Sequence, residues 1–418
     1  MHSSRPAALL PLLLSCVGAV LACGSDDGGA SPTPGGADGG GADAALGTDG
    51  GDGAAPVTCP RPLKGEDARR FVVVSHPFAA DGKKDNRFEV LTLDSAGTVA
   101  RTGTTFTMGN VFDGTITFTP DGHVGLVPQE DGSVGVFALT DDGQVTVLQP
   151  AFKDGGFYAE KVYIDPTGNR AFILDSQVQK NGGGIYEAAI GCDGKLGPAR
   201  KLAEAEGIGD LGFFHKTPSR ALTGTAAAFG QTDADAFVVD LSGAAPTIPA
   251  KTKVFTEQTI ATSIAVSADD KIGIIACGNS FAGGNQVAVM ALGEGTLAKK
   301  TILTVESPTV AIASPFNNAF FVASADPDAF RVLSYDAANA AAPVAVKGLV
   351  TYKFAKPELP SVAVLVERGK LRGRVVVAEN TAVRQVQFTP DGNVDDTSQF
   401  VLGQSTDLIV GGLGVTAP

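Results

Sequence analysis

Apolar residues in this chain alternate with small or polar ones over short runs, and each run ends at Pro, Asp, Gly or Asn. In Ile116–Val127 (ITFTPDGHVGLV) the pattern reads as a strand, a tight turn and a second strand. Pro pre-sets the backbone for the turn, and Gly accepts the positive φ that hairpin turns need. The phrase returns at Val162–Leu174, with degraded copies at Phe213–Leu222, Ile264–Ile275, Val310–Val322 and Val362–Val377. A last occurrence, Leu413–Pro418, stops at the turn. With Pro120 as marker, the equivalents are Pro166, Pro218, Ala268, Pro315, Glu367 and Ala417, at intervals of 46 to 52 residues.

A second hairpin series runs out of phase with the first. Its markers are Gly97, Gly143, Gly194, Gly243, Gly295, Asn339 and Gly392, again about one period apart. Each period therefore holds two hairpins, hence four strands of one small antiparallel sheet. Periods of about 40–50 residues with four strands each are the mark of β-propeller blades. Seven copies of each hairpin predict an all-β, seven-bladed β-propeller. The phase offset predicts a one-plus-three closure. Leu408–Thr416 is expected as the innermost strand of the blade whose outer strands are Arg70–Ser75, Phe88–Leu93 and Thr98–Thr105, so that no sheet edge is left open at the seam.

The N-terminus breaks the pattern. Residues 1–22 join a short basic start to an apolar run too short for a stable membrane span, and predict a secretion signal. Val20-Leu-Ala-Cys23 resembles a bacterial lipobox, which makes Cys23 the expected lipid-attachment site; an ordinary signal peptide with an incidental Cys is the alternative. Residues 23–57 hold 12 Gly and six Asp, with no Lys or Arg. Such a segment buries too little apolar surface to fold and is expected to be a disordered tether. The propeller is expected over 58–418. Gly24 and Ser25 carry no acidic retention cue, so the expected address is the cell envelope, at the outer membrane, held through the N-terminal lipid only.

The formal net charge is −13, which argues against nucleic acid as a partner because phosphate contacts need clustered Lys and Arg. The one basic cluster, Arg368–Arg374, falls in a turn between strands and is expected as a solvated hairpin rather than an anion site. Three cysteines lie in the propeller, Cys59, Cys192 and Cys277, enough for one disulfide with one thiol over. The sequence does not choose the pair. No cysteine spacing suits a metal, and no cofactor is expected.

Chemistry-bearing motifs are few. Gly207–Gly212 matches the dinucleotide fingerprint as a string, but a strand rather than a helix is predicted after it, so no pyrophosphate site is expected. Gly278–Ala282 misses the nucleophile-elbow pattern at its last position. His76, His123 and His215 are expected at turns or on the surface. Reading back from each marker to the start of the inner strands predicts a rim around the central channel: Asp113, Glu160, Asp210, Thr262, Thr309 and Ser361, with Asp407 as a seventh. The carboxylates, with Lys161 beside them, suggest a cation or polar-ligand site; the competing expectation is that they only cap and solvate strand starts.

The turn phrase Thr-Pro-Asp-Gly, the strand after it and the Asp-Gly hairpins resemble the lactonase-type and YVTN-repeat seven-bladed propellers over residues 68–418. The resemblance lies in structural repeat positions. It departs at the second strand, where Val124-Gly-Leu-Val and Ala171-Phe-Ile-Leu stand in place of Tyr-Val-Thr-Asn. What it implies is the fold and not the activity. Two functions are expected from the whole: a monomeric, surface-tethered, non-catalytic module that binds an envelope protein or glycan, or a lactonase-like or other hydrolase with its site at the channel mouth.

Overall fold

The structure is a computed structural model. It describes residues 58–79, 83–109, 114–153, 156–175, 183–205, 207–225, 234–242, 251–255, 261–277, 285–293, 295–316, 319–325, 328–334, 345–351, 360–402, 408–409 and 411–416. The chain divides into Met1–Thr58 and Cys59–Pro418, and every described strand belongs to the second unit. Cys23, Asp113, Asp407 and Gly278–Ala282 lie outside the described residues.

The described strands form seven antiparallel sheets arranged as a β-propeller. The inner strands of blades 2 to 7 are Thr117–Phe118, Ala159–Ile164, Ile208–Phe213, Ala261–Val266, Pro308–Ala313 and Val362–Val366. The second strands beside them are Val124–Pro128, Arg170–Asp175, Arg220–Thr225, Ile272–Cys277, Ala319–Ala325 and Arg374–Ala378. In blade 1, Arg70–Ala79 pairs on one side with Lys84–Leu93 and on the other with Gly412–Val415, in the register Val72 to Val415 through Ser75 to Gly412. A separate two-residue pairing joins Leu408 and Ile409 to Ala79 and Phe78. The strands Arg70–Ala79 and Lys84–Leu93 both run several residues beyond the expected Arg70–Ser75 and Phe88–Leu93.

The core follows from period-2 alternation. Each sheet has apolar residues on both faces, and each face meets the next blade. Among the described residues seven apolar clusters result, one per seam. Phe71, Val73, Phe118 and Phe137 fill the seam between blades 1 and 2. Val72, Val74, Leu413, Val415, Val376 and Val383 fill the seam between blades 7 and 1.

Turns behave as their residues dictate. Asp165 accepts the main-chain N–H groups of Asn169 and Arg170, each at 3.0 Å, and Gly168 takes φ +73°. Asp121 and Thr119 cap the blade 2 turn in the same way. These turns, joining inner to second strands, share one face with the turns joining third to fourth strands. The starts of the inner strands and the ends of the second strands lie at the opposite face, the channel mouth.

The segment from Cys59 to Arg69 lies on the hairpin face as a strap. Cys59 is disulfide-bonded to Cys192, and its N–H donates to the Asn169 side chain at 2.8 Å. Arg61 donates to the Gly191 carbonyl at 2.9 Å, and Lys64 pairs with Asp141. Asp67 meets Lys370 at 3.1 Å, and Arg70 donates to the Arg368 carbonyl at 3.0 Å. The basic run Arg368–Arg374 is thus partly packed on the strap. Cys277, the remaining described cysteine, is buried and outside the disulfide.

Candidate functional site

The rim expected from the repeat contains one tight cluster. Asp210, third residue of the blade 4 inner strand, is 5% exposed. Its Oδ1 accepts from the Tyr163 hydroxyl and lies 3.1 Å from the Lys161 ammonium, both on the blade 3 inner strand. Its Oδ2 accepts the Ile264 N–H of blade 5 at 2.7 Å. Lys161 also donates to the Thr262 carbonyl at 2.8 Å, so its ammonium joins blade 3 to blade 5 across blade 4.

This close approach has a sequence cause. A Cβ at Gly209 would lie 2.1 Å from the Ala261 carbonyl oxygen, so only glycine lets the two inner strands come together there. The Tyr163 phenol is held well above its ordinary pKa, first by burial and then by the negative charge of Asp210. With three donors on two oxygens, the Asp210 carboxylate acts as a clamp between blades.

Of the five residues expected to bind a ligand, Lys161 and Asp210 are brought together. Glu160 is half-buried next to Tyr158 and outside this cluster. Asp113 and Asp407 fall outside the described residues. Thr309 and Ser361 make inter-blade contacts, to the carbonyls of Pro360 and Gly411 at 3.4 Å each.

The structure assembles a second set of polar groups that the rim prediction missed. At the mouth end of each second strand stands a buried residue that is not aliphatic: His76, Gln129, Asp175 and Thr225, then Cys277, Ser324 and Glu379, all between 0% and 6% exposed. By alternation each turns toward the preceding blade. His76 shares a face with Val72 and Val74 in the seam with blade 7. Gln129 shares one with Val127 in the seam with blade 1. His76 corrects the expectation of a turn or surface histidine. Strand Arg70–Ala79 continues past Ser75 and carries the imidazole into the seam, 3.6 Å from the Glu89 carboxylate, which Arg101 holds at 3.0 Å. His123 and His215 do lie in turns.

The members differ in how they are satisfied. Glu379 accepts from Arg384 at 2.6 Å and Gln399 at 2.8 Å, and Thr225 accepts the Asp235 N–H at 3.0 Å. Both ring nitrogens of His76, Nε2 of Gln129 and Oγ of Ser324 have no hydrogen-bond partner among the described residues. The sequence did carry a signal. Gln129, Asp175, Cys277 and Ser324 each stand nine residues after their turn marker. Among the described residues no group of three His, Cys, Asp or Glu side chains is placed to hold a metal ion.

Comparison with known proteins returns the fold. No family model matches the chain, and no curated protein is similar to it in sequence. A Pseudomonas aeruginosa periplasmic gluconolactonase is similar in structure, with TM-score 0.60 and 15% identity over 82% of this chain and 99% of that one. A Bacteroides uniformis protein named for 6-phosphogluconolactonase gives TM-score 0.60 and 13% identity over 84% of this chain and 100% of that one. Hydrazine synthase from Kuenenia stuttgartiensis gives TM-score 0.51 and 12% identity over 78% and 96%. At these identities the likeness concerns architecture alone.

Proposed function

We propose that this protein is an envelope-anchored binding module, lipidated at Cys23, that presents the channel mouth of its propeller to a protein or glycan ligand. The observation that carries this reading is the position of the strap. The polypeptide enters the ring at Cys59 on the hairpin face, stapled there to Cys192, while the inner strands open at the other face. The chain thus joins the propeller on the face opposite the mouth. The engagement of Asp210 with Lys161, Tyr163 and Ile264 supports a structural role for the rim carboxylate over proton transfer.

Metabolic labelling with a fatty acid tests the anchor: label incorporated by the full chain and lost in Cys23→Ala supports it, and equal labelling overturns it. Affinity capture from envelope extracts on the immobilised full chain tests the binding. Saturable retention of one protein or glycan supports the reading; retention of nothing returns weight to the second one. That second reading is a lactonase-like hydrolase, favoured by the names of two structural neighbours. It requires turnover of a sugar lactone by the purified protein.

A further inference from the structure

We propose that the Cys59–Cys192 disulfide is the point by which the propeller is held under tension: it passes a pull on the N-terminal segment into blade 3 and keeps that pull off the strand that closes the ring. This goes beyond the binding reading and does not depend on a lipid at Cys23. The strap lies directly before Arg70–Ala79, which pairs with both Lys84–Leu93 and the C-terminal Gly412–Val415. At the start of that strand the Phe71 N–H donates to the Thr416 hydroxyl at 2.8 Å, and the Thr416 N–H donates to the Phe71 carbonyl at 2.9 Å. Without the disulfide, tension travelling along the backbone would reach those closing bonds as soon as the strap came away.

The two ends of the strap are held very differently. At the blade 3 end, beside the disulfide, the Cys59 N–H donates to the Asn169 side chain and the buried Arg61 guanidinium to the Gly191 carbonyl. Between Arg61 and Arg70 the side-chain contacts are at the surface: Lys64 with Asp141, Arg69 with the Asp141 carbonyl at 3.1 Å, and Asp67 with Lys370. Exposed pairs of this kind contribute little, and they break one after another when a chain is drawn off a surface. The covalent bond changes the path. It delivers tension to the turn around Cys192, between Gly184–Ala189 and Arg200–Ala203. That turn is closed by the Gly191 N–H to the Lys195 carbonyl and the Gly197 N–H to the Ala189 carbonyl, each at 2.8 Å. Gly184–Ala189 is paired on both sides, and blade 3 holds neither end of the ring. A pull there leaves the pairing of Arg70–Ala79 with Gly412–Val415 untouched.

Single-molecule stretching of the full chain tests this, with one handle at the N-terminus and one at position 300, an exposed site on the outer strand of blade 5. Dithiothreitol supplies the comparison. Cys192 stands in an exposed turn, so the dithiol reaches the bond in the folded protein, yielding two cysteine thiols and cyclic oxidised dithiothreitol. The reduced chain should show an early rupture that frees the strap, adding up to about 40 Å for the 11 residues Cys59–Arg69 at about 3.6 Å each. Opening of blade 1 should follow it. The oxidised chain should lack that rupture and first yield at a higher force. An equal or lower first-rupture force in the oxidised chain would overturn the proposal, because the strap would then hold without the bond. So would loss of the β-sheet circular dichroism on reduction without tension, which would make the disulfide a bond that holds the fold rather than one that routes a pull. Failure of fatty-acid labelling at Cys23 bears on the anchor alone, since the handle replaces it here.

Discussion

Asp210 of blade 4 accepts the main-chain N–H of Ile264 in blade 5 at 2.7 Å while its other oxygen faces Lys161 of blade 3 at 3.1 Å. One carboxylate thus ties three consecutive blades at the channel. Replacing it by alanine leaves a partly buried ammonium, a phenol and an N–H without their acceptor. Asp210→Ala is therefore expected to cost about 3–5 kcal/mol. Asp210→Asn, which keeps one acceptor oxygen, should cost about 1–2 kcal/mol. Urea unfolding reads both as a lowered midpoint at unchanged m-value.

The same cluster predicts an alkaline limit. In the native state Tyr163 ionises well above its ordinary pKa, and in the unfolded chain near 10. As pH rises past about 10, the unfolded state loses this proton first, so stability falls; below that pH the contribution is complete. Tyr163→Phe should lose about 1 kcal/mol at pH 7 with the hydrogen bond and show a shallower decline between pH 10 and pH 11.5. A decline as steep as that of the native chain would assign it elsewhere. Tyr158, also raised by burial, leaves a residual slope.

The disulfide closes a span of 133 residues, and the chain-entropy argument gives it about 5 kcal/mol. Thermal unfolding with and without reductant, or of Cys59→Ser, should show that loss. Cys277 is fully buried and outside the bond, so a thiol reagent should label it only after unfolding.

Two glycines mark where inner strands approach too closely for any side chain. A Cβ at Gly414 would sit 2.2 Å from the Ile116 carbonyl oxygen, and one at Gly209 only 2.1 Å from that of Ala261. Gly209→Ala and Gly414→Ala should each destabilise by about 1–3 kcal/mol or more through forced strand separation. An alanine at Gly65, where a Cβ meets nothing within 4 Å, is the control and should be close to neutral.

Much of the architecture was legible in the chain. The alternation in Val162–Leu174 marks two strands and the Pro-Thr-Gly between them marks the turn, because strand faces and turn dihedrals depend on neighbouring residues. Repetition at a near-constant interval then gave the number of blades. The functional rim was only half legible. Lys161 and Asp210 are 49 residues apart, and their contact depends on how blades 3 and 4 pack. His76 escaped because no turn marker precedes it and because strand Arg70–Ala79 outruns the repeat. The identity of the disulfide likewise waited on the strap, since Cys59 lies before the first strand and any blade turn was open to it.

By itself, then, the sequence determined the all-β class, the seven-fold repeat and the positions of the turns, all set by contacts between residues near one another in the chain. The tertiary structure alone decided which polar groups meet: Asp210 with Lys161, Tyr163 and Ile264, His76 with Glu89, Cys59 with Cys192. Those meetings span blades, and their geometry is set by the close packing of whole sheets around an axis, a property that no single repeat contains.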